Sequence, residues 1–313
     1  MGGQTYGSQD WANLQARSTA ASAPTATPQT VYKSSSLDPY LDPKKITVRE
    51  SRNSAGNPRA TPIILACDVT GSMSNVMQSL FSDVIPALMK EIYDRKPVSD
   101  PHVMFMAYDD VVVGSEAPLQ VTQFEADSRI VDQLDKFLLV GGGGGNGFES
   151  TNLPWHFAAY HTSCDAFEKD GRKGFLFSFG DDGPSPDLTK QNLQDVYGNS
   201  DEVLASNDDI LRRLDSMYHV FHLHLSRGIH TSYTNSAFAR WKKVLGERAL
   251  EVSDHRKLGE VIVSTMQVMA GLDVDTVVKS WSGDTSLVVA KAIKDLKPGA
   301  VATQDSGQRV VMF

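Results

Sequence analysis

From residue 61 onward the chain alternates between two hydrophobic periods. Apolar runs of strand length are followed by stretches whose apolar residues recur every three or four positions. "PIILACD", ending at Asp68, is continuously apolar up to its last residue, as expected of a strand covered on both faces. From Val76 to Ile92 apolar residues fall at 76, 77, 80, 81, 84, 85, 88, 89 and 92, the spacing of one helical face, and Pro86 within it predicts a kink. "HVMFMAYDD" predicts a second strand, "VVVGSE" with "LQVTQF" a short third strand and turn, and "SRIVDQLDKFLL" a helix. The loop "VGGGGGNGFEST" leads into "LPWHFAAYHTSCDAFEK", a helical pattern that tolerates Pro154 in its first turn. "GFLFSFGDDGPSP" predicts a strand, "DEVLASNDDILRRLDSM" a helix and "YHVFHLHLS" a strand. "AFARWKKVLG" predicts a helix closed by Gly246, "RALEVSD" a last strand, and "HRKLGEVIVSTMQVMAG" a helix closed by Gly271.

Strand and helix alternate at lengths that suit parallel crossovers. The expected fold is therefore α/β, a doubly wound Rossmann-like and mostly parallel sheet, over residues 59–272. Residues 1–58 read as a low-complexity, extended arm: "ARSTAASAPTATPQT" is too polar and aperiodic to order itself. Tyr40 and Leu41, set between prolines, are expected to dock on the domain itself or on a partner. Residues 273–313 hold one helix, "TSLVVAKAIKDL", and a loose tail. No internal repeat is visible.

Composition narrows the function. The 313 residues carry a formal net charge of −8 without a basic cluster, which argues against nucleic acid as the main partner. Cys67 and Cys164 have no CxxC partner, so zinc ribbons and disulfide frameworks are excluded, and both read as buried small hydrophobes in a reducing compartment. No stretch reaches the roughly 18 apolar residues of a membrane span. The first residues lack a secretory pattern, and Tyr6 stands where a myristoylation signal needs Ser or Thr, so no membrane span and a cytoplasmic location are expected.

In an open α/β sheet, ligands bind beyond the carboxyl ends of the strands. Three polar loops fall there: Asp68-Val69-Thr70-Gly71-Ser72, the Gly141–Gly147 loop ending in Phe148-Glu149-Ser150-Thr151, and Gly180-Asp181-Asp182-Gly183. They offer carboxylates and hydroxyls but no imidazole. That all-oxygen set suits a hard divalent cation, Mg²⁺ or Mn²⁺. Asp68, Thr70 and Ser72 at i, i+2 and i+4 of a tight turn can gather on one side. Ser72 taken alone also fits a helix N-cap for "MSNVMQ".

"DVTGSM" resembles the metal-ion-dependent adhesion site (MIDAS) of von Willebrand factor A (VWA) domains, whose first loop is Asp-x-Ser/Thr-x-Ser. "GGGGNGFES" is similar to the Gly-Gly-x-x-x-Pro-Glu loop of integrin β and hemicentin-like members, and "FLFSFGDDG" to their strand ending in Thr-Asp-Gly. The resemblance implies a metal held by Asp68, Thr70, Ser72, Glu149 and Asp182, with Asp68 and Asp182 acting through water. Phe148 departs from the family's Pro, Asp181 from its Thr, and Pro154 follows the second loop closely. Thr151 is therefore the alternative ligand to Glu149.

Other features read more plainly. The glycine run 141–145 lacks the Gly-Lys-Ser/Thr of a phosphate loop and reads as a mobile loop beside the metal. His222 and His224 share one strand face with no third zinc ligand in view, as core or helix-facing histidines do. Asp181 and Asp182, being adjacent, point apart and do not form an acid/base pair. "ARWKKVLGER" reads as a solvated basic face, with partner docking as the alternative.

The expected function is a non-catalytic module that engages an Asp or Glu of a protein partner through the bound cation. By the resemblance, it would serve as an adaptor in a larger complex such as that of a MoxR-type AAA+ ATPase. The alternatives are a structural or assembly subunit and a metal-dependent hydrolase.

Overall fold

The fold is built around strands too apolar to tolerate water on either face. The computed structural model describes residues 34–298 except 74–75, 77–78, 80–83, 128, 140, 144, 199–203 and 227–231, together with residues 12 and 16. In chain order the strands are β1 (Arg49–Ser51), β2 (Thr61–Asp68), β3 (Pro101–Tyr108), β4 (Leu119–Val121), β5 (Thr162–Cys164), β6 (Gly174–Gly180), β7 (Leu188–Thr189), β8 (Leu204–Ala205), β9 (Tyr218–Leu225) and β10 (Ala249–Val252). The helices are α1 (Ile85–Arg95), α2 (Arg129–Leu134), α3 (Asn152–Tyr160), α4 (Asp165–Glu168), α5 (Lys190–Tyr197), α6 (Asn207–Met217), α7 (Ser232–Leu245), α8 (Leu258–Met269), α9 (Val274–Lys279) and α10 (Gly283–Ile293).

Six strands form the central sheet in the order β10-β9-β6-β2-β3-β4, all parallel except β4. Every residue of β2 is buried. Its period of two divides the interior. Ile63, Leu65 and Cys67 enter one core with Leu88, Ile92, Val261 and Val289, while Ile64 and Ala66 enter the other with Trp155, Leu193, Ile210 and Trp241. Helices α1, α8, α9 and α10 thus cover one face, and α3, α5, α6 and α7 the other. This is a doubly wound α/β sheet, as the sequence pattern predicts. Among the described residues no helix is long and apolar enough to cross a membrane.

Two segments set apart by composition pack on this body. Leu41 is fully buried in the first core, and its carbonyl accepts from the Val121 amide at 2.9 Å. The Arg49 guanidinium donates to the carbonyls of Tyr40 and of Val121 (3.1 Å for the latter) and lies 4.6 Å from the Tyr40 ring centre. Strand β1 then pairs in parallel with β5. At the other end, where the sequence pattern predicts one helix, there are two, α9 being a short turn capped by Asp273, and Val277, Val289 and Ile293 of α9 and α10 are buried in the same core. Residues 1–33 apart from 12 and 16, and 299–313, lie outside the described residues.

Local structure departs from the periodicity at three places. The helix expected through "LPWHFAAYHTSCDAFEK" stops at Tyr160, because Thr162–Cys164 is claimed as a strand by the distant β1. The helix expected from residue 201 starts at Asn207 instead. Ser206 caps it by accepting from the Asp209 amide, and Leu204–Ala205 pairs with β7. Helix α5, which the pattern did not predict, begins with a reciprocal capping box between Thr189 and Asn192. Pro86 sits in the first turn of α1, where its missing N–H is tolerated. Cys67 and Cys164 are both buried and in no disulfide, consistent with small core residues.

Candidate functional site

The chain leaves β2 for β3 on one side and returns later to β6 on the other. The carboxyl ends of β2 and β6 therefore flank the point where the winding reverses, the place where such sheets open a crevice. Asp68 ends β2 there and is fully buried. The Thr70 amide and hydroxyl both donate to Asp68 Oδ1, at 2.8 and 2.7 Å, which folds the loop back over the strand tip. The Thr70 and Ser72 hydroxyls stand 3.4 Å apart, and Ser72 donates to Asp181 Oδ1 at 2.9 Å. Asp68 Oδ2 is buried with no hydrogen-bond partner. Gly180 leaves room for it, since a Cβ there would lie 3.0 Å away.

The glycine loop brings the second acid in. The Gly71 amide donates to the Gly142 carbonyl at 2.9 Å. A Cβ on Gly142 would meet Asp109 Oδ2 at 2.7 Å. A Cβ on Gly143 would sit 3.2 Å from Glu149 Oε1 and 3.3 Å from Thr70 Cβ, and Gly143 has φ +112°. At these two positions glycine serves close approach between loops, whereas the sequence suggested hinge freedom. Glu149 is buried, and its Oε2 has no hydrogen-bond partner. The Thr151 hydroxyl contacts the Glu149 carbonyl at 3.4 Å and hydrogen-bonds the Tyr108 side chain.

The third loop is tied to the second. Phe148 bridges to Gly183, and Arg240 Nη2 donates to the Gly147 carbonyl at 2.8 Å while packing over Gly183. The Trp241 indole donates to the Asp182 carbonyl at 2.8 Å. The structure thus gathers Asp68, Thr70, Ser72 and Glu149. Of the paired acids, Asp181 accepts from Ser72, while the charge of Asp182 bears on both Asp68 and Glu149.

Sequence reasoning passed over two further acids. Asp109 and Asp110 follow β3 directly and are fully buried. Asp109 accepts from Ser115 at 2.9 Å, and Asp110 from Asn146 at 2.6 Å and Ser150 at 3.2 Å. The signal was present in "YDD", an acid at a strand tip like Asp68 itself.

Burial, with the nearby charges of Asp181 and Asp182, pushes the Asp68 carboxyl up to about 8 against the Thr70 hydrogen bonds. Burial, then the charges of Asp68, Asp110, Asp182 and Asp109, push Glu149 up to about 9. Asp109 is raised as well, again chiefly by burial. The main charged groups acting on Asp68 and Glu149 are all acids. Among the described residues no three His, Cys, Asp or Glu side chains are placed to cage a metal unaided. The donor set here instead mixes carboxylates with neutral hydroxyls. Two orphaned buried carboxylate oxygens beside those hydroxyls fit a hard cation that keeps part of its water shell.

His222 and His224 lie on β9 beside β6, with His224 in register with Gly180. His222 meets the Ser178 hydroxyl at 3.0 Å and stacks on Trp241 at 3.7 Å, and burial holds it well below its ordinary range. Both are core histidines facing α7.

No family model matches the chain, and no curated protein does. Among solved structures it is similar to the pilus adhesin SpaC from Lactobacillus rhamnosus GG in its open conformation, at 11% identity and TM-score 0.46 over 69% of this chain and 31% of that one. A second form of the same adhesin matches at 10% identity and TM-score 0.43, over 70% and 32% of the two chains. The chain spans about a third of the length of those structures.

Proposed function

We infer that the chain is a VWA-type module that binds a protein partner through a divalent cation. Mg²⁺ or Mn²⁺ would be held by Asp68, Thr70, Ser72 and Glu149, with Asp182 acting through water. A bound ion of this kind supplies a localised positive charge for a carboxylate of the partner. The observation that carries the reading is the pair of buried carboxylate oxygens on Asp68 and Glu149 that have no hydrogen-bond partner among the described residues, with acids rather than Lys or Arg as their main charged neighbours. Folding leaves such charges together only at a cost that a bound ion offsets.

In this reading the protein's own groups position and expose. Thr70 fixes the Asp68 carboxylate through two hydrogen bonds, and Gly143 lets Glu149 approach Thr70. Trp241 and Arg240 hold the third loop against the second. Because Thr70 and Ser72 are neutral donors, the ion would keep much of its charge for the partner. The buried Glu149 Oε2 without a hydrogen-bond partner, and the approach of Glu149 to Thr70 across Gly143, favour Glu149 over Thr151 as the second-loop ligand. The module acts as a non-catalytic adaptor, with an AAA+ ATPase complex as one setting to examine.

The test is capture from native lysate with Mg²⁺ against EDTA, using wild type and Asp68→Ala. Proteins retained only by wild type with metal are the expected result. A bound set indifferent to both changes would sink the reading in favour of an assembly subunit. Metal-dependent turnover of a phosphoester or peptide would replace it with a hydrolase.

A further inference from the structure

The third loop carries two adjacent acids, and the fold ties them to different neighbours. The Trp241 indole holds the Asp182 carbonyl at 2.8 Å, and Arg240 packs over Gly183, which fixes this stretch of backbone against α7. Asp181 turns to the first loop and accepts from the Ser72 hydroxyl at 2.9 Å, a contact between residues 109 positions apart. The charges divide in the same way. Asp181 bears on Asp68 more strongly than Asp182 does, whereas Asp182 is among the main charges acting on Glu149.

The hydroxyl protons of the first loop give that contact a use. A hydroxyl has one proton and two lone pairs, and it can hold a cation only through the lone pairs. The Thr70 hydroxyl gives its proton to Asp68 Oδ1 at 2.7 Å, and the Ser72 hydroxyl gives its own to Asp181 Oδ1. Both protons are directed onto carboxylates. The two oxygens stand 3.4 Å apart, near the roughly 3 Å edge of an oxygen octahedron about Mg²⁺. Thr70 is buried. Ser72 is exposed, so packing does little to select among its staggered rotamers and hydrogen bonding decides.

We propose that Asp181 is a positioning residue for the cation: by accepting the Ser72 hydrogen bond it keeps the lone pairs of that hydroxyl turned toward the ion. It does for Ser72 what Asp68 does for Thr70, and it acts through Ser72 rather than as a ligand of its own. The resembling metal sites carry Thr at this position, so the role belongs to this chain's own acid. The role needs the ion of the proposed function, on which it rests. Groups that orient a metal ligand in this way are worth roughly 10- to 100-fold in metal affinity.

The test is calorimetric titration of the full chain with MnCl₂ and MgCl₂, run as a cycle of wild type, Asp181→Ala, Ser72→Ala and the double variant, with melting in EDTA as the measure of folding. Asp181→Ala is expected to weaken uptake roughly tenfold. Its metal-free melting should be unchanged, since Asp181 is only half-buried and Ser72 is exposed. In the Ser72→Ala background the same change should cost no more than about twofold, because the hydroxyl it orients is gone. Asp181→Asn, whose side-chain oxygen still accepts from Ser72, should recover part of the loss. If Asp181→Ala melts early without metal, Asp181→Val, which has the shape of Thr and no acceptor, takes its place in the cycle. A further loss of roughly tenfold in the Ser72→Ala background would mean that Asp181 meets the ion independently of Ser72, and overturns the proposal. Asp181→Asn no better than Asp181→Ala overturns it too, in favour of an effect of charge alone. Wild-type uptake that Asp181→Ala leaves intact overturns the positioning role and spares the metal reading. A wild type that takes up neither ion overturns the metal reading itself, and the positioning role with it.

Discussion

Two buried aspartates in this molecule have opposite fates. Asp165 at the start of α4 and Asp68 at the end of β2 are both almost wholly buried. Asp165 receives the Arg52 guanidinium at 2.9 Å, the Lys169 ammonium at 2.9 Å and the Asn53 amide at 3.0 Å. Burial works to raise it, but those hydrogen bonds prevail and hold it below the usual carboxylate range. Asp68 has only Thr70, and burial carries it up to about 8. The same side chain is a structural anion where the fold supplies cations, and an unsatisfied one where the fold withholds them. The withholding falls beyond the carboxyl ends of β2 and β6, where open α/β sheets form their crevice, which supports the proposed cation site.

The comparison is broken most severely by removing the cation that Asp165 depends on. Arg52→Ala should cost about 2–3 kcal/mol in chemical denaturation, less than a fully buried pair because Lys169 remains. The side chain of Arg52 also holds Glu50 and Glu168. An unchanged midpoint would mean that Lys169 and the Asn53 amide suffice for Asp165.

At the other site the sign reverses. Above about pH 8, where Asp68 would be an unpaired buried charge, Asp68→Asn should stabilise the metal-free protein, and the gain should shrink at lower pH, where the carboxyl is protonated. It should also abolish any rise in melting temperature caused by Mg²⁺ or Mn²⁺. With folded values of about 8 for Asp68 and about 9 for Glu149, the folded state binds more protons than the unfolded one above the ordinary carboxylate range. Metal-free stability should therefore fall as pH rises from about 4 toward 8–9, and stabilisation by metal should grow over that window as the ion displaces those protons. Melting curves with metal and with EDTA across this range check it. A metal effect that shrinks with rising pH would contradict the assignment.

The smallest effect sharpens the contrast. Lys169 is 65% exposed and pairs with Asp165 across one helical turn, so Lys169→Ala should change stability by only about 0.3–0.5 kcal/mol.

The central strands and the three polar loops were legible because each carries its signal locally. "IILAC" and "FLFSF" announce strands covered on both faces, and a carboxylate at the end of each marks the crevice. Asp109 and Asp110 carried the same mark at β3 and were missed, because the resemblance directed attention to three loops and not to every strand tip. Strands β1 and β5 were illegible for another reason. Each is three residues long, and neither has a strand's period without the other, so "TSC" looked like a continuation of α3. The burial of Leu41, Val289 and Ile293 depends likewise on distant surfaces that composition does not report.

The pairing of β1 with β5 sets an order of events during synthesis. Arg52 and Asp165 are separated by 113 residues, so the first strand leaves the ribosome long before its mate exists. Until then the Arg52 guanidinium has no Asp165 to neutralise, and the edge of β1 stays open to chaperones or to another nascent copy. The amino-terminal strap can be fastened only after the central strands β2 and β3 and the glycine loop have emerged, which makes it a late seal on an already assembling sheet.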